Sequence, residues 1–237
     1  MLKNPLRLTL LLPMFAILFF ATEAIGADKP AENIPATHPV SPSAKFEKEI
    51  AAFEAADKIA PPPQRAVLFI GDSGFKKWTT LAVDFPDQAV INRGFGGSQM
   101  ADATYFAERI VIPCRPRLII LREGGNDLTA GMTAEQLLVD LQAFVAIVHT
   151  RLPETRIALF SLNPNPARWN QAEKRKAANA MLKAYIAGQK GLEFIEVWDQ
   201  FLGPDGKPRE DLFVKDRLHN NAEGNKIYAE AVRLHLK

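Results

Sequence analysis

The 237-residue chain predicts an α/β fold, in which a parallel sheet carries helices on both of its sides. Three observations point there. Residues 66–70 (AVLFI) are a short, wholly apolar run ending at Gly71, the pattern of a strand buried on both faces. Four more short runs of strand character follow, with helical patterns between or after them. The composition, 47% hydrophobic with 15 Phe and 3 Trp, supplies one well-buried core, and the length suggests one domain or at most two.

At the start of the chain, Lys3 and Arg7 precede a nearly pure apolar stretch, residues 8–21, interrupted by Pro13 and followed by small residues. This reads as a signal peptide over residues 1–27, cleaved near Ala24 or Ala27. The stretch is shorter than the ~20 apolar residues of a spanning helix, so a permanent membrane anchor is not expected. No Cys lies near the cleavage region, which argues against a lipid anchor. The expectation is an exported protein, secreted or periplasmic. Residues 28–43, rich in Pro, Ala, Glu, Thr and Ser, read as a disordered linker, leaving 44–237 as the folded domain.

Ser43 is placed to cap a helix running to Ile59, with Phe46, Ile50 and Phe53 on one face, and Pro61-Pro62-Pro63 ends it. After the first strand at 66–70, strands are predicted at 89–92, 118–122, 156–160 and 192–197. Helices are predicted over 100–112, 133–151, 167–188 and 222–236. Thr133 and Gln136 have capping-box spacing ahead of the apolar face of Leu137, Leu141, Phe144 and Val148. No internal repeat interrupts the alternation. In such sheets, ligands gather at the carboxyl ends of the strands.

The formal charge is +2, and removal of the first 27 residues leaves 27 basic against 26 acidic side chains. No basic tract tracks a phosphate backbone, so nucleic acid is not an expected partner. The single cysteine, Cys114, cannot form an internal disulfide and reads as a small buried hydrophobe. No His/Glu pair has metal-ligand spacing, so neither metal nor cofactor is expected.

Four segments carry chemistry, and all fall at strand ends or before the last helix. In Gly71-Asp72-Ser73 the serine follows the first strand, where its hydroxyl would stand at the rim of the sheet. Either Asp72 or Ser73 caps the next helix, or Ser73 is a nucleophile that needs a base. The hydrolase elbow Gly-x-Ser-x-Gly is absent, since Phe75 stands where its second glycine would be. Of the four histidines, His38, His149 and His235 read as solvated or structural. His219 lies three residues after Asp216, a spacing that lets the carboxylate orient the imidazole. Gly97, in Gly94-Phe95-Gly96-Gly97, can offer a backbone N–H. Asn126, in Gly124-Gly125-Asn126-Asp127, can offer a side-chain amide, and the Ser73 N–H is a third donor for a tetrahedral oxyanion. Asp127 reads as a brace for its own loop. The glycine loop lacks both the P-loop lysine and dinucleotide spacing.

Together these segments resemble the SGNH hydrolases, the GDSL esterase/lipase family, over about residues 66–235. The Asn92-x-Gly94-x-x-Gly97 context, and Leu218-His219-Asn220 followed by Gly224, resemble the family's remaining blocks. The chain is similar in particular to a group of secreted bacterial members with a Trp five residues after the serine, here Trp78. The resemblance implies a flavodoxin-like three-layer α/β/α sandwich with a five-stranded parallel sheet. It implies Ser73, Asp216 and His219 as a catalytic triad and Ser73, Gly97 and Asn126 as the oxyanion hole. Gly74 departs from the family, many of whose members carry Leu there.

In the loop at residues 161–169 (SLNPNPARW), Arg168 and Trp169 either hold a sugar or an anionic group or pack the start of a helix. Arg93 and Arg122 flank the rim, and their structural alternative is an ion pair with Glu123 or Asp127. The expected function is a serine esterase for short acyl groups, such as O-acetylated carbohydrate. The alternatives are a lysophospholipase or arylesterase, an acyltransferase, or a catalytically silent glycan-binding module.

Overall fold

A computed structural model describes residues 44–237; the predicted signal peptide, the linker and Ser43 lie outside this range. Five strands, β1 Val67–Gly71, β2 Val90–Gly94, β3 Leu118–Arg122, β4 Arg156–Phe160 and β5 Leu192–Ile195, form one sheet in the order β2-β1-β3-β4-β5. All pairs are parallel, with Val67 opposite both Val90 and Leu118. The order reverses between β1 and β3, the crevice in which doubly wound sheets bind ligands.

Side chains alternate across each strand and so divide the core in two. Leu68, Ile70, Ile119, Leu121, Ile157 and Leu159 face a mostly aliphatic layer. That layer is covered by α1 Glu47–Ile59, α4 Met100–Ile110, α6 Ala134–Arg151 and α7 Ala172–Ala187. Phe69, Ile120 and Phe160 face the other side, beneath α2 Ser73–Lys76, α3 Leu81–Asp84 and α8 Ala222–Arg233. The second layer is aromatic. Trp78 lies 6.0 Å from Phe69 and 6.2 Å from Phe75 and Tyr228, and its indole N–H donates to Asp84 at 2.6 Å. These layers make the three-layer α/β/α sandwich that the sequence predicts.

Element boundaries shift where local chemistry intervenes. A 3-10 turn, Ala44–Phe46, precedes α1, so the α-helix begins after the predicted start. Helix α4 ends at Ile110 because Pro113 directs the chain into a 3-10 turn, Ile112–Cys114. Residues Pro166–Gln171, predicted as helix, are 3-10 and kinked at Arg168 (φ −127°, ψ 27°), and α7 starts only at Ala172. Strand β5 stops at Ile195, and the Val197 N–H donates to Ser161 Oγ at 3.0 Å instead of continuing the ladder. Thr133 and Gln136 form the expected capping box on α6.

Helix α1 is fastened to the domain by charge as well as by Phe46 and Ile50. Arg93 donates to both oxygens of Asp57 at 2.6 Å, and Arg109 binds Glu47 and Glu54. Arg93 therefore pairs away from the rim, neither with Glu123 nor with Asp127. Cys114 is fully buried, its thiol donates to Ile110 O at 3.4 Å, and burial pushes it up from the ordinary thiol range.

Candidate active site

Three strand ends and one loop converge at the reversal point. After β1, Asp72 caps α2: its Oδ1 accepts the Gly74 N–H at 2.7 Å and also binds the guanidinium of Arg122 from the end of β3. Ser73 opens α2, where no helical acceptor exists for its N–H. The capping and nucleophile readings of this segment are thus compatible, since the two jobs fall on adjacent residues. Gly74 makes room for Arg122: a Cβ there would stand 2.4 Å from Nη1 and 2.6 Å from Cζ of that side chain. Arg122 Nε also donates to Tyr228 Oη at 3.2 Å, and that hydroxyl donates to Asn163 Oδ1 at 2.8 Å.

The Ser73 hydroxyl meets the His219 imidazole. Ser73 Oγ lies 2.7 Å from His219 Nε2, and His219 Nδ1 lies 2.6 Å from Asp216 Oδ2. With Nδ1–H donated to the carboxylate, Nε2 is an acceptor facing the hydroxyl. The loop between Asp216 and His219 is tightly wound. Arg217 adopts a left-handed backbone (φ 59°), which lets the N–H groups of Leu218 and His219 both donate to Asp216 Oδ1 at 3.0 Å. Burial opposes the Asp216 charge, but these two N–H groups and the imidazole hold its carboxyl far below the usual carboxylate range. Asn221 then caps α8, accepting from Glu223 and Gly224 N–H at 3.0 and 3.1 Å.

On the opposite side stand the candidate oxyanion donors. Gly97 lies in the loop after β2 with φ +83°, a conformation that favours glycine. Among the described residues its N–H has no acceptor, and neither has that of Ser73. Asn126, in the short helix α5 Gly125–Thr129, donates one Nδ2–H to Ser98 O at 2.9 Å, which ties it to the residue after Gly97. The second Nδ2–H remains for a ligand. Ser98 Oγ donates to Glu123 Oε1 at 2.6 Å. Asp127 accepts the N–H groups of Met100 at 2.9 Å and Gly124 at 3.0 Å, joining the loops after β2 and β3. Burial, opposed by those two donors, pushes the Asp127 carboxyl up to about 6. Burial, followed by the nearby Asp72 and Asp127 charges, raises Glu123 well above the ordinary carboxylate range.

The two residues proposed for substrate contact go separate ways. Arg168 reaches Asn126, donating to its Oδ1 from Nη1 at 3.3 Å and Nη2 at 3.2 Å, and to Gly125 O from Nη1 at 3.1 Å. Trp169 packs on Trp198, ring centroids 6.5 Å apart and tilted by 34°. Sequence reasoning did not single out Ser98, Glu123 as its support, or Lys77, whose Nζ lies 3.1 Å from His219 Nδ1 and 3.6 Å from Asp216 Oδ2. Ser98 adjoins the glycine loop, and that adjacency was the available signal. Lys77 had none. Among the described residues no group of three His, Cys, Asp or Glu is arranged to hold a metal ion.

The arrangement can move a proton from a hydroxyl to an imidazole while offering N–H donors to a developing anion. Comparisons with known proteins agree with that chemistry. The model of the GDSL-like lipase/acylhydrolase family matches residues 64–227. A bovine (Bos taurus) protein, platelet-activating factor acetylhydrolase IB subunit alpha1, is 29% identical over 166 residues, covering 65% of this chain and 67% of the relative. A GDSL-like lipase from Bacteroides thetaiotaomicron superposes with a TM-score of 0.68 at 18% identity, over 78% of this chain and 96% of that one. A carbohydrate esterase family 3 structure from Talaromyces cellulolyticus superposes with a TM-score of 0.57 at 16% identity, over 72% and 95%. At these identities the two structures speak for the fold.

Proposed function

The chain belongs to the GDSL-like lipase/acylhydrolase family of ester-bond hydrolases, and on that premise we propose that it is an exported serine esterase releasing short acyl groups, acetyl foremost, from carbohydrate esters. One observation carries the catalytic part: the unbroken run from Ser73 Oγ to His219 Nε2 at 2.7 Å and from His219 Nδ1 to Asp216 at 2.6 Å. Ser73 Oγ attacks the ester carbonyl carbon as its proton passes to His219 Nε2. The tetrahedral oxyanion is held by the N–H groups of Ser73 and Gly97 and the remaining Nδ2–H of Asn126. The carbon–oxygen bond to the alcohol then breaks, and His219 returns the proton to the departing oxygen. In the second half, His219 takes a proton from water, whose oxygen attacks the acyl-serine. The bond to Ser73 Oγ breaks, the serine recovers its proton, and the acid leaves. Asp216 stays ionised throughout and holds the imidazole in its working tautomer.

The acetyl preference draws support from the bovine relative, which by name is an acetylhydrolase. The shared fold of the Talaromyces cellulolyticus carbohydrate esterase makes an acetylated sugar the carrier to test first. Export draws support from Lys3, Arg7 and the apolar stretch after them, and the mature protein then acts without a membrane anchor. The test is hydrolysis of p-nitrophenyl acetate, butyrate and octanoate, and of acetylated xylan, by the wild type and by Ser73→Ala. Acetate should be the best of the aryl esters, and the variant should lose about 10³-fold or more in kcat. Full activity in Ser73→Ala, or a wild type inert on every ester, would overturn the esterase. Octanoate cleaved as fast as acetate would overturn the short-acyl preference.

A further inference from the structure

Arg168 is a half-buried cation whose hydrogen bonds, among the described residues, all go to neutral acceptors; burial lowers it from the ordinary arginine range, opposed by the nearby Asp72 charge. Desolvating a cation is costly, so the groups it donates to are informative. Its guanidinium donates to the Asn126 side-chain oxygen from both terminal nitrogens, at 3.2 and 3.3 Å, and to Gly125 O at 3.1 Å.

The hydrogen bonds of the Asn126 amide can be counted. It has two N–H groups and one carbonyl oxygen. Ser98 O takes one N–H, and Arg168 covers the oxygen. A 180° flip would turn the oxygen toward Ser98 O, acceptor against acceptor, and the NH2 toward the guanidinium, donor against donor. The flip would also put an oxygen lone pair where the oxyanion must bind. We propose that Arg168 is a positioning residue for ester hydrolysis: its guanidinium locks the Asn126 amide in the one orientation that aims an N–H at the oxyanion. The cation against the carbonyl oxygen also polarises the amide and strengthens the N–H on its other side.

The loop that carries Arg168 is itself anchored for this task. Asn165 Oδ1 accepts the Arg168 backbone N–H at 3.0 Å, which sets the kink. The Ala167 N–H donates to Arg217 O at 3.0 Å, next to Asp216. One short segment thus spans from the oxyanion donors to the acid–base loop.

The inference rests on the esterase reading, and the experiment separates their failures. On p-nitrophenyl acetate, which has no anionic group to bind, Arg168→Met should lower kcat about 10- to 100-fold with KM changed less than about threefold. Arg168→Lys, able to reach the oxygen from one direction, should recover part of the loss. Because Arg168 acts through Asn126, Asn126→Ala combined with Arg168→Met should be no slower than Asn126→Ala alone. Additive losses, or a rise in KM with kcat unchanged, would overturn the proposal in favour of an independent or substrate-binding role. A measurement that needs no turnover stands beside these. The Asn126 side-chain NH2 signals in NMR, assigned by their loss in Asn126→Ala, should shift and exchange faster with water in folded Arg168→Met. Unchanged signals would sink the role of Arg168 whether or not the protein cleaves esters.

Discussion

The two sides of the candidate crevice are built differently. The side bearing Ser73, Gly97 and Asn126 grows from strand ends and is braced by buried carboxyl groups: Asp72 on Arg122, Glu123 on Ser98, and Asp127 on two backbone N–H groups. Asp72, Glu123 and Asp127 are all buried. The side bearing Asp216 and His219 is a wound loop near the surface, where the Asp216 side chain is 42% exposed and its neighbour Lys77 53%. The proposed oxyanion donors would have to be rigid before charge develops, since preorganisation would be their contribution. In the proposed mechanism the imidazole exchanges protons with a hydroxyl, an alcohol and water, and a loop near solvent suits that. Damage on the first side should therefore reach the fold, whereas damage on the second should reach only the rate.

The largest effect expected is on turnover. His219→Ala should lower kcat about as far as Ser73→Ala, and the double variant no further, because the two act as one unit. Additive losses would separate the two residues. Next, Asp216→Asn should lower kcat by roughly 10²–10⁴ while moving stability by less than about 1 kcal/mol, read by stopped assay and thermal melt. A large fall in stability would erase the contrast between the sides.

Asp127→Ala tests the buried side. It strands two buried N–H groups, at Met100 and Gly124, and should destabilise by about 2–4 kcal/mol by denaturant titration. The same residue gives the protein a pH dependence. A carboxyl raised on folding, here from 3.8 to about 6, favours the fold when protonated. Its contribution is complete below about 3.8 and is lost as pH rises through about 6, on the order of 3 kcal/mol in all. Wild-type stability should fall relative to Asp127→Ala over that window, and parallel curves would refute the shift. The smallest effect belongs to Lys77→Met. An exposed cation is screened, so kcat should stay within about threefold, with a weaker salt dependence than the wild type.

Much of this was legible in the sequence for physical reasons. Strand β1 is wholly apolar because both faces are buried, and periodic faces longer than two turns announce α4, α6, α7 and α8. The short helices α2, α3 and α5 have four or five residues each and leave no period to detect. Asp216 and His219 were legible because their contact is local. The Arg168 contact with Asn126 spans 42 positions and depends on a kink inside what reads as a continuous helix. The partner of Arg93 was missed for the same reason, since Asp57 lies 36 positions away on a helix before the core.

The bare Cα at position 74 has a consequence for anyone redesigning this protein. The hollow it leaves is occupied by the Arg122 head group, so the two positions form a notch and its key. A leucine at 74 would push the key aside and draw the counter-charge away from the Asp72 cap. Shortening Arg122 in the same step should ease the change, so grafts that alter position 74 are best designed with both residues together.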